Sequence, residues 1–169
     1  TGGGTLAEID EGVRTLREIG TTDITLLKCT SSYPAPAEEA NLRTIPHLAQ
    51  AFGCPAGLSD HTMGSAVAVA AVSLGAVMIE KHFTLSRADG GPDSAFSMEP
   101  EEFKAMVRDI RIVEKALGKV SYERTDKEKG SVVFRRSLFV VKDIKAGEAF
   151  TAENVRSIRP GHGLHTRYL

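Results

Sequence analysis

The sequence predicts an α/β domain built on parallel strands, followed by a polar linker and a small β-rich tail. Three observations carry this. Short apolar runs alternate with amphipathic helical stretches over the first two thirds of the chain. A charged stretch without apolar period follows at 119–132, and the remaining residues, 133–169, are β-leaning and punctuated by glycine.

Leu6 to Ile19 places apolar residues at 6, 9, 13, 16 and 19, the stripe of an amphipathic helix. Thr5 and Glu8 suit a capping box, and Gly20 suits the stop. Ile24 to Cys29 is short, β-branched and almost wholly apolar, as a buried parallel strand should be. The alternation then repeats. Asn41 to Phe52 reads as a helix interrupted by Pro46, Ala56 to Leu58 as a strand, and Ser65 to Leu74 as a close-packed helix of small residues. Val77 to Phe83 reads as a third strand, and Pro100 to Leu117 as a long helix with acidic residues at its N-terminus, where the dipole favours them. In the tail, Ser137 to Val141 is a predicted strand and 145–148 a turn. Thr151 to Asn154 forms a polar cap before Val155, and Arg159 to Gly161 another turn. Three parallel strands make a poor sheet by themselves, because their edges need covering, and so small a tail needs a neighbour.

The composition excludes several classes. The 169 residues carry 21 basic and 22 acidic side chains, so no global basic field invites nucleic acid. The longest apolar run, Ala66 to Ile79, falls short of the roughly 20 residues that span a bilayer. Two cysteines, Cys29 and Cys54, make no disulfide framework and read as reduced packing residues of a cytoplasmic protein.

Ligands of α/β proteins bind at the C-terminal ends of parallel strands. There the sequence places Cys29 to Pro34, then Ser59 to Thr62, then Glu80 to His82. His61 and His82 are 21 residues apart, roughly one strand–helix–strand unit, and therefore stand at equivalent heights on neighbouring strands. Two imidazoles so placed can share a divalent ion. The loop from Arg87 to Ser97 offers a flexible, glycine-rich cover. Each feature has a plainer reading. A lone histidine is more often a hydrogen-bonded structural residue, and two at matching strand ends bring the readings level. Asp60 can bind substrate, orient an imidazole or cap the next helix, with the last two favoured. Glu80 and Lys81 can be a simple ion pair along a strand. The glycine turn at 1–5 is compatible with an anion but lacks the rest of a phosphate motif. His47, His162 and His165 have no predicted partner. The residues alone point to a metal-assisted or anion-binding α/β enzyme.

The strings KCTSSYPAP (28–36), GLSDHTMG (57–64), IEKHFTLSRADGGPDSAFSMEPEEF (79–103) and RRSLFVVKDIKAGEAFTAENV (135–155) resemble the nonulosonic (sialic) acid synthase family, and within it the pseudaminic acid synthases. The resemblance implies the C-terminal part of a (β/α)8 TIM barrel at 1–118, a linker at 119–132 and a truncated antifreeze-like (SAF) domain at 133–169. It also implies a domain-swapped homodimer. The family condenses phosphoenolpyruvate with an N-acylated amino sugar, with Mn2+ or Mg2+ polarising the sugar aldehyde, to give a nine-carbon 2-keto acid and phosphate. By motif, His61 and His82 match the metal ligands, Ser59 a phosphoenolpyruvate contact, Tyr33 a sugar contact and Asp93 a sugar-hydroxyl contact. Arg159 matches the arginine that reaches the N-acyl group in the partner's site. Ser31 stands where some relatives carry an asparagine that contacts phosphoenolpyruvate.

The chain begins where the resemblance places the end of the fifth barrel strand. It thus lacks counterparts of the family's phosphoenolpyruvate-binding lysines and of an essential glutamate, and its SAF part stops before the usual last strands. The expectation is that this segment alone is inactive. The alternatives are an N-acetylneuraminate or legionaminate synthase, another metal-dependent aldol-type enzyme on the same barrel, and a non-catalytic sugar-binding or assembly fragment.

Overall fold

The computed structural model describes all residues, Thr1–Leu169, which fall into two units, Thr1–Lys119 and Val120–Leu169. In the first, strands β1 (Leu26–Cys29), β2 (Ala56–Asp60) and β3 (Ile79–Lys81) form a wholly parallel sheet in that order. Helices α2 (Thr44–Phe52) and α3 (Ala66–Ser73) make the two crossovers, α1 (Leu6–Glu18) precedes the sheet and α4 (Pro100–Leu117) follows it. The central strand β2 is buried along its whole length. Its neighbour approaches so closely that a Cβ on Gly57 would stand 2.3 Å from the Met78 carbonyl oxygen, which only glycine allows. Ile45, Leu48 and Phe52 of α2 pack on Leu26, Ala56 and Leu58 of the strands, with Val13 of α1 beside them. Ala68 of α3 meets Met98 and Met106 in a second cluster.

The predicted capping box of α1 is present, with the Glu8 backbone N–H donating to Thr5 Oγ1 and the Thr5 N–H to Glu8 Oε2. The Thr5 N–H and hydroxyl, both donating to Glu8 Oε2, hold that carboxyl below its usual range. Four boundaries differ from the sequence reading by two residues or more, and the first is β2, which runs to Asp60 and not to Leu58. Helix α2 begins at Thr44, after a 3-10 turn at Ala37–Glu39, so Pro46 lies in its first turn, where no intrahelical N–H is lost and nothing is interrupted. Strand β1 starts at Leu26, two residues late, although Ile24 is still buried. Strand β3 is only three residues long, because β2 ends at Asp60 and leaves His82 and Phe83 without a strand partner there. Phe83 bridges to Met98 instead.

The second unit pairs β4 (Ser137–Val140) with β5 (Val155–Ile158) antiparallel, in the register Ser137↔Ile158 to Val140↔Val155. The stretch expected to be structureless linker contains a helix, α5 (Asp126–Ser131). It has no apolar stripe, and a Thr125–Glu128 capping box and a Lys129–Asp126 ion pair support it instead. A cavity of about 360 Å3 opens between Leu138, Val140, Phe150 and Leu164.

Candidate active site at the strand ends

Side chains alternate across a strand, so Ser59 and His61 on one side of β2's end share a face with Glu80 and His82 after β3. Asp60 and Lys81 point to the other. On the first face the two imidazole rings lie 5.1 Å apart, centre to centre. Tyr33, from the loop after β1, stands 4.4 Å from the His61 ring and 5.8 Å from that of His82. Phe96 closes the group, 5.0 Å from His82.

His61 is buried, and its Nδ1 lies 2.9 Å from the Thr30 carbonyl oxygen. A carbonyl only accepts, so Nδ1 carries a proton, and Nε2 is the nitrogen left to meet a ligand. His82 is more open, with Nδ1 at 3.6 Å from the Asp93 carboxylate. Two imidazoles side by side, each with Nδ1 turned to an oxygen, suit two positions of a divalent ion. No group of three or more His, Cys, Asp or Glu side chains gathers to complete a metal site.

The structure therefore brings together His61, His82, Tyr33 and Asp93. Ser31 is exposed beside them, its Oγ 3.8 Å from Cys29 Sγ, which in turn is 3.8 Å from His61 Nδ1. Ser59 lies beneath the histidines, but its hydroxyl donates to Glu80 Oε1 at 2.7 Å, so its proton is engaged. Arg159 follows β5 in the second unit and makes no ion pair there.

Two expectations are corrected. Asp60 neither hydrogen-bonds an imidazole nor caps α3: its carboxylate accepts Lys81 Nζ at 2.7 Å and both the N–H and hydroxyl of Thr62. Glu80 and Lys81 are not a pair along one strand, since each reaches across to β2. The sequence reading also missed Phe96 and Glu80. Glu80 was findable: it precedes His82 by two, as Ser59 precedes His61, and that spacing shares a strand face. Phe96 lies in the loop read as a flexible cover. The far end of that loop is packed down, with Ser97 and Met98 buried and the Met98 N–H donating to the His82 carbonyl at 2.9 Å. Arg87 ties the near end to α4 through Glu102, whose carboxyl it pulls down to about 2.

Comparison with known proteins identifies the family. The NeuB family model matches residues 1–122 and the SAF domain model residues 135–169. The pseudaminic acid synthase of Helicobacter pylori is 44% identical over 168 residues, covering 97% of this chain and 48% of that protein. The N,N'-diacetyllegionaminic acid synthase of Campylobacter jejuni is 42% identical over 167 residues, with 97% and 50% covered. Among solved structures, the N-acetylneuraminic acid synthetase of Leptospira borgpetersenii, in complex with citrate, matches with a TM-score of 0.69 at 34% identity, over 78% of this chain and 46% of that one. The chain spans about half the length of the curated relatives it matches. With a TIM-barrel-type region of parallel strands that carries paired histidines at the strand ends, and a SAF domain following it in the sequence, the chain belongs to the NeuB family of nonulosonic acid synthases.

Proposed function

We propose that the protein carrying this chain condenses phosphoenolpyruvate with an N-acylated amino sugar, releasing phosphate and forming a nine-carbon 2-keto acid. The 5.1 Å pairing of His61 with His82 at neighbouring strand ends is the observation that supports this most. Through Nε2 of each ring they would hold Mn2+ or Mg2+. Such an ion, when bound, supplies Lewis acidity to a carbonyl oxygen.

This chain's own residues do the rest of what can be derived. Thr30 fixes the His61 tautomer. Tyr33, 55% exposed, presents its phenol at the mouth, where a sugar hydroxyl can meet it. Asp93, open to solvent beside His82, is placed to accept from a second sugar hydroxyl. Ser59, with its proton on Glu80, has only lone pairs left to offer. It would serve phosphoenolpyruvate only as an acceptor, or after handing the Glu80 bond over to water. Tyr33 packs against both imidazoles and Phe96 against that of His82. Ser31 lines the same mouth, and Arg159 of a second protomer would reach the N-acyl group in a domain-swapped homodimer. Phosphoenolpyruvate, the sugar and a second copy are the partners of this reading, and the cytoplasm, where phosphoenolpyruvate is made, is its place. No helix is long and apolar enough to cross a membrane.

The sugar we propose is 2,4-diacetamido-2,4,6-trideoxy-altrose, which gives pseudaminic acid. The similarity to the Helicobacter pylori pseudaminic acid synthase supports it. The test uses the full-length protein with Mn2+, phosphoenolpyruvate and either this sugar, its legionaminate-forming counterpart or N-acetylmannosamine, following phosphate. Release with the diacetamido altrose alone supports the proposal. Release with another sugar alone moves the specificity to the legionaminate or neuraminate synthases, and no release from folded, metal-loaded protein overturns the activity.

A further inference from the structure

On the sheet face opposite the histidines, Lys81 and Asp60 form an ion pair whose side chains are each 1% exposed. Lys81 Nζ donates to Asp60 Oδ2 at 2.7 Å and to the Thr62 carbonyl at 2.6 Å. Asp60 Oδ1 accepts the Thr62 N–H at 2.9 Å and the Thr62 hydroxyl at 2.8 Å. No buried side-chain polar atom in the chain lacks a partner, so the network is closed. Its placement is specific. Asp60 and Thr62 flank His61, and Lys81 precedes His82. One ammonium thus grips the chain on both sides of one imidazole while sitting next to the other.

A buried ion pair is weak as a source of stability, because desolvation offsets its attraction and an apolar pair of equal volume often does as well. What a closed polar network does supply is a single arrangement of the chain. Backbone pairing between β2 and β3 ends at Asp60↔Lys81; beyond it the His61 carbonyl accepts the Ala35 N–H and the His82 carbonyl the Met98 N–H, so no ladder bond joins the two histidines to each other. We propose that Asp60, Lys81 and Thr62 are positioning residues: their network holds the turn after β2 against the end of β3 and thereby sets the spacing of the His61 and His82 rings. The consequence for metal binding rests on the function proposed above, whereas the ring spacing does not.

The test uses full-length protein with isotope-labelled histidine and two readouts. The first is the nuclear Overhauser contact between the His61 and His82 rings in metal-free protein. The second is Mn2+ affinity. The double variant D60N/K81M removes both charges together, leaves no lone buried charge and roughly keeps the volume. It should unfold cooperatively, lose the ring contact and bind Mn2+ about 10- to 100-fold more weakly, the range for groups that orient a metal ligand. Thr62→Val keeps the ion pair and removes one hydroxyl bond. It covers the case in which the double variant does not fold, and should weaken the ring contact and raise the Mn2+ Kd about fivefold. Persistence of the wild-type ring contact in a folded variant overturns the proposal whatever the metal does. Failure of the wild-type protein to bind Mn2+, with the ring contact present and lost on substitution, overturns the metal site and leaves the positioning role standing.

Discussion

The Thr30 carbonyl oxygen stands 2.9 Å from His61 Nδ1, so a loop residue after the first strand sets the protonation pattern of a ring on the second. Nitrogen NMR of the metal-free protein should therefore show a proton on His61 Nδ1. The opposite tautomer would leave Nδ1 unable to donate to Thr30 and remove the Nε2 lone pair that a metal needs.

Removing one partner of the Asp60–Lys81 pair strands a charge in a site 1% exposed. Asp60→Ala and Lys81→Met should each cost about 3–5 kcal/mol, and the double neutral variant much less than the two together. Denaturant unfolding of the four proteins measures this. Additive losses would mean that the two side chains do not interact.

Glu102 gives a pH signature. Arg87 and the Glu99 N–H lower its pKa from 4.5 to about 2, so folding favours its ionised form. The stabilisation is complete above about 4.5 and is lost as pH falls through about 2. Because the group is solvent-exposed the effect is small and screened by salt. The melting temperature of Glu102→Gln should converge with that of the parent as pH drops through this window, and a gap that stays constant would contradict the assignment.

Gly57 admits no Cβ, since the Met78 carbonyl would lie 2.3 Å away and is backbone. Gly57→Ala should push β3 off β2 and lower stability by about 1–3 kcal/mol, read by thermal unfolding. The same substitution at Gly12, which has open space around it, should be neutral or slightly stabilising.

Helix α5 hangs on its cap. Thr125→Ala removes the acceptor of the Glu128 N–H and should cost about 1 kcal/mol locally, seen as faster amide exchange over 126–131.

The parallel sheet and its order were legible because apolar runs and amphipathic helices have different periods, and the strand-end rule then pointed to His61, His82 and Tyr33. The roles of Asp60 and Lys81 were not legible. Which residue faces which across two parallel strands depends on register, and sequence spacing does not fix register. The helix at 126–131 escaped because its support is a cap and not an apolar stripe, although Thr125 and Glu128 carry the capping-box spacing. Phe96 escaped because a glycine-rich loop hides a buried ring that only the chain's return to Met98 explains.

The most direct test of the central claim is pulsed electron paramagnetic resonance of Mn2+ bound to full-length protein. Two imidazole nitrogens should couple to the ion, with one coupling lost in His61→Ala and the other in His82→Ala. Mn2+ that binds with no histidine nitrogen coupling, or with coupling unchanged in both variants, would contradict it.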